Sequence, residues 1–492
     1  MPSTEHPVLA ELERSIGHLA ATRVAVLVDG KERPAVAAIE AWRPGCVVRH
    51  DVRSGGTRLH VRLAAQGRYD AVADLVPRGS DGRAARLLPH VRPGGVWVRR
   101  TAGGRVEAVT AEDDACAIVG DAETSDLLAL DPGRGRVLDV VPGASWPVRG
   151  RLRTSGPMPA NPTPDHYDAP PMFLREYPNA VCLPQQVVVG RHVVLPETFT
   201  TVEDRRRRNV ALDKLGADFA RSPLPDAEPP LLPGRWFHLD NHLGWHFGHA
   251  VSEQVSHLWG WQRARQDDPS LGALLFADSG ELAEWQRDLL AAGGVPAGAV
   301  HVATGPVRVE RLVGCTPMFS RPAYVHPAML DTYDALSVAL SAQAGAGPWP
   351  SRVFLGRRGT KRACVNAAEL EAEFRSAGFE VVFMEDHPLA DQVELVRRAE
   401  VVAGYAGSAM FHVALAGAPK HVVLVVSEAY PAHNEYLMSM LLGHRLDVVV
   451  CEPLVPRVDG HFSRESFHSD FVYRPEREGE FLRAVLAGDR DQ

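Results

Sequence analysis

The chain has 492 residues, is 45% hydrophobic and 23% charged, and bears a formal net charge of −8. That length exceeds one ordinary core and implies two or three α/β domains. The composition is that of a soluble globular protein, and the acidic balance excludes a global basic field for nucleic acid or anionic membrane.

Cys46, Cys116, Cys182, Cys315, Cys364 and Cys451 are scattered, with no CxxC and no His-flanked pair. Neither a zinc site nor a disulfide framework is indicated, and a reduced, cytoplasmic location is expected. The opening MPSTEHPVLAELERSIGHLA lacks a signal peptide's apolar core, and no run of about 18 apolar residues exists, so no membrane span is expected.

In chain order, TRVAVLVDG (22–30) reads as a buried strand and RYDAVADLV (68–76) as a second. Residues 85–100 read as helix, Pro-Gly-Gly turn, strand. This region, 1–145, is an additional α/β domain of degenerate Rossmann or methyltransferase-like character. The phrase YDAV…LLPHVRPGGVWV resembles the later half of a class I methyltransferase, but LVDGKERP offers one glycine where such enzymes need a glycine-rich loop. Residues 142–175 read as a Pro-rich linker or surface loop, 187–196 as a hairpin around Gly190-Arg191, and Arg205–Arg208 as a solvated basic face. The segment 146–234 is thus linker plus hairpin.

From 235 to 345 helices and strands alternate: a helix near 246–265, strand 273–277, helix 281–293, strands near 300–304 and 307–313, and a helix through 328–342. AGAGPWP (344–350) is a linker. Beyond it, in 351–492, come strands at 352–355, 379–384, 400–403, 421–426 and 446–451, with helices at 367–377, 388–399, 408–416 and 434–443 between them. That alternation implies a parallel sheet with right-handed crossovers, and two such halves imply a ligand cleft between them.

WHFGHAVSEQVSHLWGW (245–261) places His246, His249, Glu253 and His257 at helical offsets 0, 3, 7 and 11, on one face. A carboxylate there is a candidate base for a hydroxyl, with His249 one turn away to orient it or share the proton. A structural helix whose imidazoles satisfy buried partners gives the same spacing. The HxxH…E pattern matches no standard metal motif, and no metal is expected. Arg352, Arg357, Arg358, Lys361 and Arg362 crowd the carboxyl end of a strand, where anions bind; a solvated basic loop is the alternative. Gly404-Tyr405-Ala406-Gly407-Ser408-Ala409 follows a strand and opens a helix, so its N–H groups can approach an anion. Asp391-Gln392 lies on the helix before it and offers hydrogen bonds to a ribose or base, or is plain helix surface.

These stretches together resemble glycosyltransferase family 61. RVFLGRR…R-x-x-x-N-x-x-E-L…GFEVV…PLADQVELV…A-x-VV-x-G-x-x-G is similar to the family's C-terminal half, FGHAVSEQVSHLW to its FGH-x-x-x-E-x-x-x-x-LW helix, and NEYLMSMLLGHRLDVV to its last helix–strand unit. The resemblance spans roughly 175–455. It implies a GT-B-like α/β fold, with two Rossmann-like domains facing a cleft: 235–345 on the acceptor side and 351–492 on the nucleotide-sugar side. It also implies an inverting, metal-independent transfer from a nucleoside-diphosphate sugar to a hydroxyl acceptor, with no cofactor. By position, Glu253 is the implied base and His249 its neighbour. Arg357, Arg358, Lys361, Asn366, Asp391, Gln392, Gly407 and Ser408 are the implied donor-binding residues. Asp391 stands where the family has Glu, and Ala406 where its G-P-H-G-A-G loop has His. The acids Asp489–Asp491 are badly placed for a metal-binding DxD. Two rival readings stay open: a non-catalytic nucleotide-binding or scaffold protein, and a methyltransferase using 1–145. The sequence leaves donor, acceptor and oligomeric state open.

Overall fold

In the computed structural model of the chain the described residues are 6–19, 22–29, 33–52, 58–76, 86–101, 105–156, 165–199, 207–320, 323–359, 361–457 and 463–488. They form two compact units, neither contiguous in sequence. The first is Met1–Val140, Phe173–His238 and Gly305–Thr316; the second is Val141–Met172, Leu239–Thr304 and Pro317–Gln492.

The first unit begins with a five-stranded sheet in the order Val47–Asp51, Val24–Val28, Tyr69–Asp74, Val91–Arg100, Val106–Thr110. The first four strands are parallel and the last pairs antiparallel. Val24–Val28 is apolar throughout because it is covered on both faces. Val24, Val26 and Val28 meet Leu12, Ile16 and Ile39 on one side, and Ala25 and Leu27 meet Leu63 and Trp97 on the other. The Pro-Gly-Gly expected to turn the chain lies inside the strand Val91–Arg100, opposite a register shift between Tyr69 and Ala71. Gly94, at φ 81, absorbs that bulge.

The hairpin is Val187–Gly190 against Val193–Val194, with Arg191 and His192 both left-handed at φ 47 and 65, as a tight two-residue hairpin turn requires. Of the run Arg205–Arg208, the first two positions lie outside the described residues. Arg207 is not a solvated cation: it pairs with Glu123 at 2.7 Å, and both side chains are 11% exposed.

The second unit contains strands where a linker was expected. Ala144–Pro147 pairs antiparallel with His166–Ala169, and Arg151–Thr154 adds in parallel to Arg445–Pro453. Edge strands tolerate the Pro and polar residues that made this stretch read as a loop. The main sheet runs Glu380–Val382, Arg352–Leu355, Val401–Tyr405, His421–Ser427, Arg445–Pro453, Phe471–Val472, parallel except for the last pairing. Helices Ala367–Ser376, Leu389–Arg398 and His433–Leu442 and a 3₁₀ segment Ser408–Leu415 intervene. A shorter parallel pair, Gly272–Phe276 with Val300–Ala303, encloses the helix Glu284–Ala292. Among the described residues no helix is long and apolar enough to cross a membrane.

Candidate active site

The expected helix near 246–265 is a chain of four short helical forms. Phe247–His249 is α, Ala250–Gln254 is π, Val255–His257 is 3₁₀ and Leu258–Asp267 is α. Side chains compete for the carbonyls along it. Ser252 Oγ donates to Gly248 O at 2.7 Å, and Ser256 Oγ and His257 Nδ1 both reach Glu253 O, at 2.5 and 3.0 Å. A π turn is rare and recurs at functional sites.

Glu253 is the centre of this segment. It is 4% exposed, and its Oε2 lies 2.9 Å from His249 Nδ1 and 3.4 Å from His242 Nδ1. Burial alone would push its carboxyl up, but hydrogen bonding to His242 and His249 outweighs that and holds it well below the usual carboxylate range. His242 comes from the turn before the helix. Asn241 fixes that turn by accepting from Leu243 N at 2.9 Å and donating to His249 O at 3.0 Å. The ring of His246 packs edge-on to that of His249, with centroids 5.1 Å apart. Burial, with His249 and Arg362 nearby, pushes His246 down to about 4. His257 does not join the cluster, because its ring is tied to the Glu253 carbonyl. His242, His249 and Glu253 are the described residues that offer a metal-ligand set, with one ligand atom each and all three within 4.8 Å of one another.

This segment packs on the glycine turn at the carboxyl end of Val401–Tyr405. Ser408 Oγ is 3.4 Å from His246 Nε2, and Phe247 stacks on His412 at 4.3 Å between centroids. A Cβ on Gly248 would lie 2.5 Å from the Phe411 ring, so glycine there permits the approach. Gly407 has φ 139 and ψ −163, a region essentially restricted to glycine. A Cβ on it would meet Arg357 Nη2 at 2.6 Å and Arg362 Nη2 at 3.7 Å.

The cations of the basic run have separate fates. Arg357 donates to the carbonyls of Arg362 (3.0 Å), Tyr405 (3.5 Å) and Ala406, which braces the turn from behind. Arg358 lies over Phe383 and makes a two-pronged pair with Asp386 at 2.5 and 2.6 Å. Lys361 is exposed. Arg362, one of the five cations read from the sequence but not among the implied donor-binding residues, sits over Tyr430 (4.2 Å) and Phe467 (5.2 Å). Its buried Nε has no hydrogen-bond partner among the described residues. Glu435, missed in the sequence, is 2% exposed beside it; burial pushes its carboxyl up, and one oxygen accepts from Tyr430 OH at 3.3 Å.

The remaining sequence candidates have local partners. Asn366 donates to Glu369 (2.8 Å) and Tyr473 O (2.7 Å) and accepts from Tyr473 N (3.0 Å), so it fastens a loop to a helix start. Asp391 accepts from Gly345 N at 2.8 Å. Gln392 bridges His387 O (2.7 Å) and His412 Nε2 (2.6 Å), which links it to the glycine turn at second hand. The tail acids Asp489–Asp491 lie outside the described residues.

A polar cavity of about 610 Å³ lies elsewhere, in the first unit, lined by Arg23, Asp131, Arg134, Arg191 and His192 among others. Its most buried cation, Arg134, donates to the carbonyls of Ala64, Ala65, Gly190 and Arg191, a clamp on the fold rather than a ligand site.

Residues 247–424 match the Glycosyltransferase 61 family. The match supports assignment of the chain to this family and covers the His249–Glu253 pair, the basic run and the glycine turn. It is narrower than the motif resemblance at both ends. A match to this family indicates glycosyl transfer in general. A comparison with curated proteins finds no match for the chain.

Proposed function

We propose that this chain is an inverting, metal-independent glycosyltransferase with a GT-B-like pair of Rossmann-like halves. It moves a sugar from a nucleoside-diphosphate sugar to a hydroxyl acceptor. The observation that carries this reading is a hydrogen-bonded His249–Glu253 pair packed against a glycine turn that Arg362 overlooks. His249 turns Nδ1 to Glu253, so its Nε2 faces away from the carboxylate and accepts the acceptor's proton. Glu253, the more deeply buried of the two, orients the ring and offsets the charge of the imidazolium. The acceptor oxygen bonds to the anomeric carbon as the bond from that carbon to the diphosphate oxygen breaks, and the electron pair leaves with the diphosphate. Arg362 and the first N–H groups of Ser408–Leu415, which have no partner inside the helix, receive that charge.

Calorimetric titration with a panel of nucleoside diphosphates tests the reading. At least one should bind. Arg362→Ala should weaken it about 10–100-fold, the worth of one charge-assisted hydrogen bond. Arg358→Ala, whose charge is already spent on Asp386, should leave binding within about twofold. Failure of every nucleoside diphosphate to bind overturns the proposal.

A further inference from the structure

Glu253 is a buried carboxylate whose ionic partners among the described residues are two histidines, with no arginine or lysine. A buried negative charge needs a compensating positive one. His242 Nδ1 and His249 Nδ1 converge on the same oxygen, Glu253 Oε2, at 3.4 and 2.9 Å. Ligand atoms around a tetrahedral zinc-type ion are themselves roughly 3.3 Å apart, as bonds of about 2.0–2.2 Å dictate. Two nitrogens and one carboxylate oxygen are the ligand set of open zinc sites. The set is also held in place: Asn241 ties the His242 turn to His249 O, and Ser252 and Ser256 fix the π turn that bears Glu253.

We propose that His242, His249 and Glu253 bind a divalent transition cation of the zinc class, and that the bound cation switches the enzyme off. The switching half rests on the reading of His249 as base; the binding half does not. Without the cation, His249 carries its proton on Nδ1, donated to Glu253, and Nε2 keeps a lone pair. The cation takes the Nδ1 lone pair. The neutral ring then holds its one proton on Nε2, exchanged through solvent, with no net gain or loss. The acceptor's proton has no place to go, and transfer stops. Magnesium and calcium prefer all-oxygen ligands and do not compete for this set.

The test uses the full chain stripped with a chelator and titrated with cobalt(II), read by visible absorption. One equivalent should bind, be displaced by zinc and not by magnesium. His242→Ala should weaken cobalt binding by about tenfold or more. His242→Asn and Glu253→Gln give the same comparison if circular dichroism shows that the alanine variant misfolds. In the second arm, zinc should reduce glycosyl transfer by about tenfold or more at saturation, a chelator should restore it, and magnesium should do neither. Absence of cobalt binding, or binding unchanged in all three variants, overturns the site. Zinc that leaves transfer untouched or raises it overturns the switch. Cobalt bound to a chain that transfers no sugar upholds the site and counts against the proposed function.

Discussion

His249 and Glu253 divide between them a task that either residue type can perform alone. The carboxylate is enclosed by two imidazoles, whereas the His249 side chain is 13% exposed. The imidazole is therefore the group an incoming hydroxyl meets first. His249→Ala should lower the single-turnover rate by about 10²–10⁴ and leave nucleotide binding intact. Glu253→Gln keeps the shape but removes the charge that steadies the imidazolium. It should cost less than His249→Ala, with Kd for the nucleotide unchanged. A larger loss in Glu253→Gln than in His249→Ala would make Glu253 the proton acceptor itself. The arginines divide in the same manner. Arg357 is used up on backbone carbonyls and Arg358 on Asp386, which leaves Arg362 facing Gly407.

The glycine turn and the π turn set what those residues can reach. At Gly407 a side chain is excluded twice, by a backbone region that costs other residues about 1–3 kcal/mol and by Arg357 Nη2. Gly407→Ala should lower stability by at least that amount in urea unfolding and abolish nucleotide binding, whereas Ser408→Ala should do neither. Retained binding in Gly407→Ala would remove the turn from the donor site. The turn itself is legible in the sequence, because small residues after an apolar run before a helix have few other uses. So are the strands of the second unit, whose largely apolar runs at 401–405, 421–427 and 446–451 need burial on both faces. The π turn is not legible. A 3.6-residue period places His257 beside Glu253, but the wider turn and the hydrogen bond to Glu253 O remove it. His242 takes that place from outside the helix, through an Asn241 turn that no periodicity reports. Nor does composition tell which arginine of the basic run is taken up by an acid, since the partner that neutralises Arg358 is 28 residues away. The edge strands 144–147 and 151–154 were hidden by the Pro and polar residues that edges tolerate.

For the second unit as a whole, two kinds of buried titratable group contribute to how it responds to acid. His412 and His444 are each pushed down to about 4 by burial, against carbonyls of Ala409 and Val413 that pull the other way. In the unfolded chain such rings titrate near about 6.5. Between those values the unfolded state binds protons that the folded state refuses, so stability falls as pH drops from about 6.5 to 4, by up to about 3 kcal/mol per ring. Asp447 behaves oppositely. Burial would raise it, but hydrogen bonds from His421 (2.6 Å) and Arg153 (2.6 Å) bring it down to about 2. Its unfolded value is near 3.9, so its contribution, about 2 kcal/mol, is fully present above about pH 4 and is lost as pH falls to about 2. The urea midpoint should therefore decline in two windows. His444→Gln should flatten the upper one. Asp447→Asn should cost about 2 kcal/mol at neutral pH and flatten the lower one, because Arg153 ties Arg151–Thr154 to the sheet through that carboxylate. A lower window that survives unchanged in Asp447→Asn would show that strand pairing, and not this ion pair, holds Arg151–Thr154 in place.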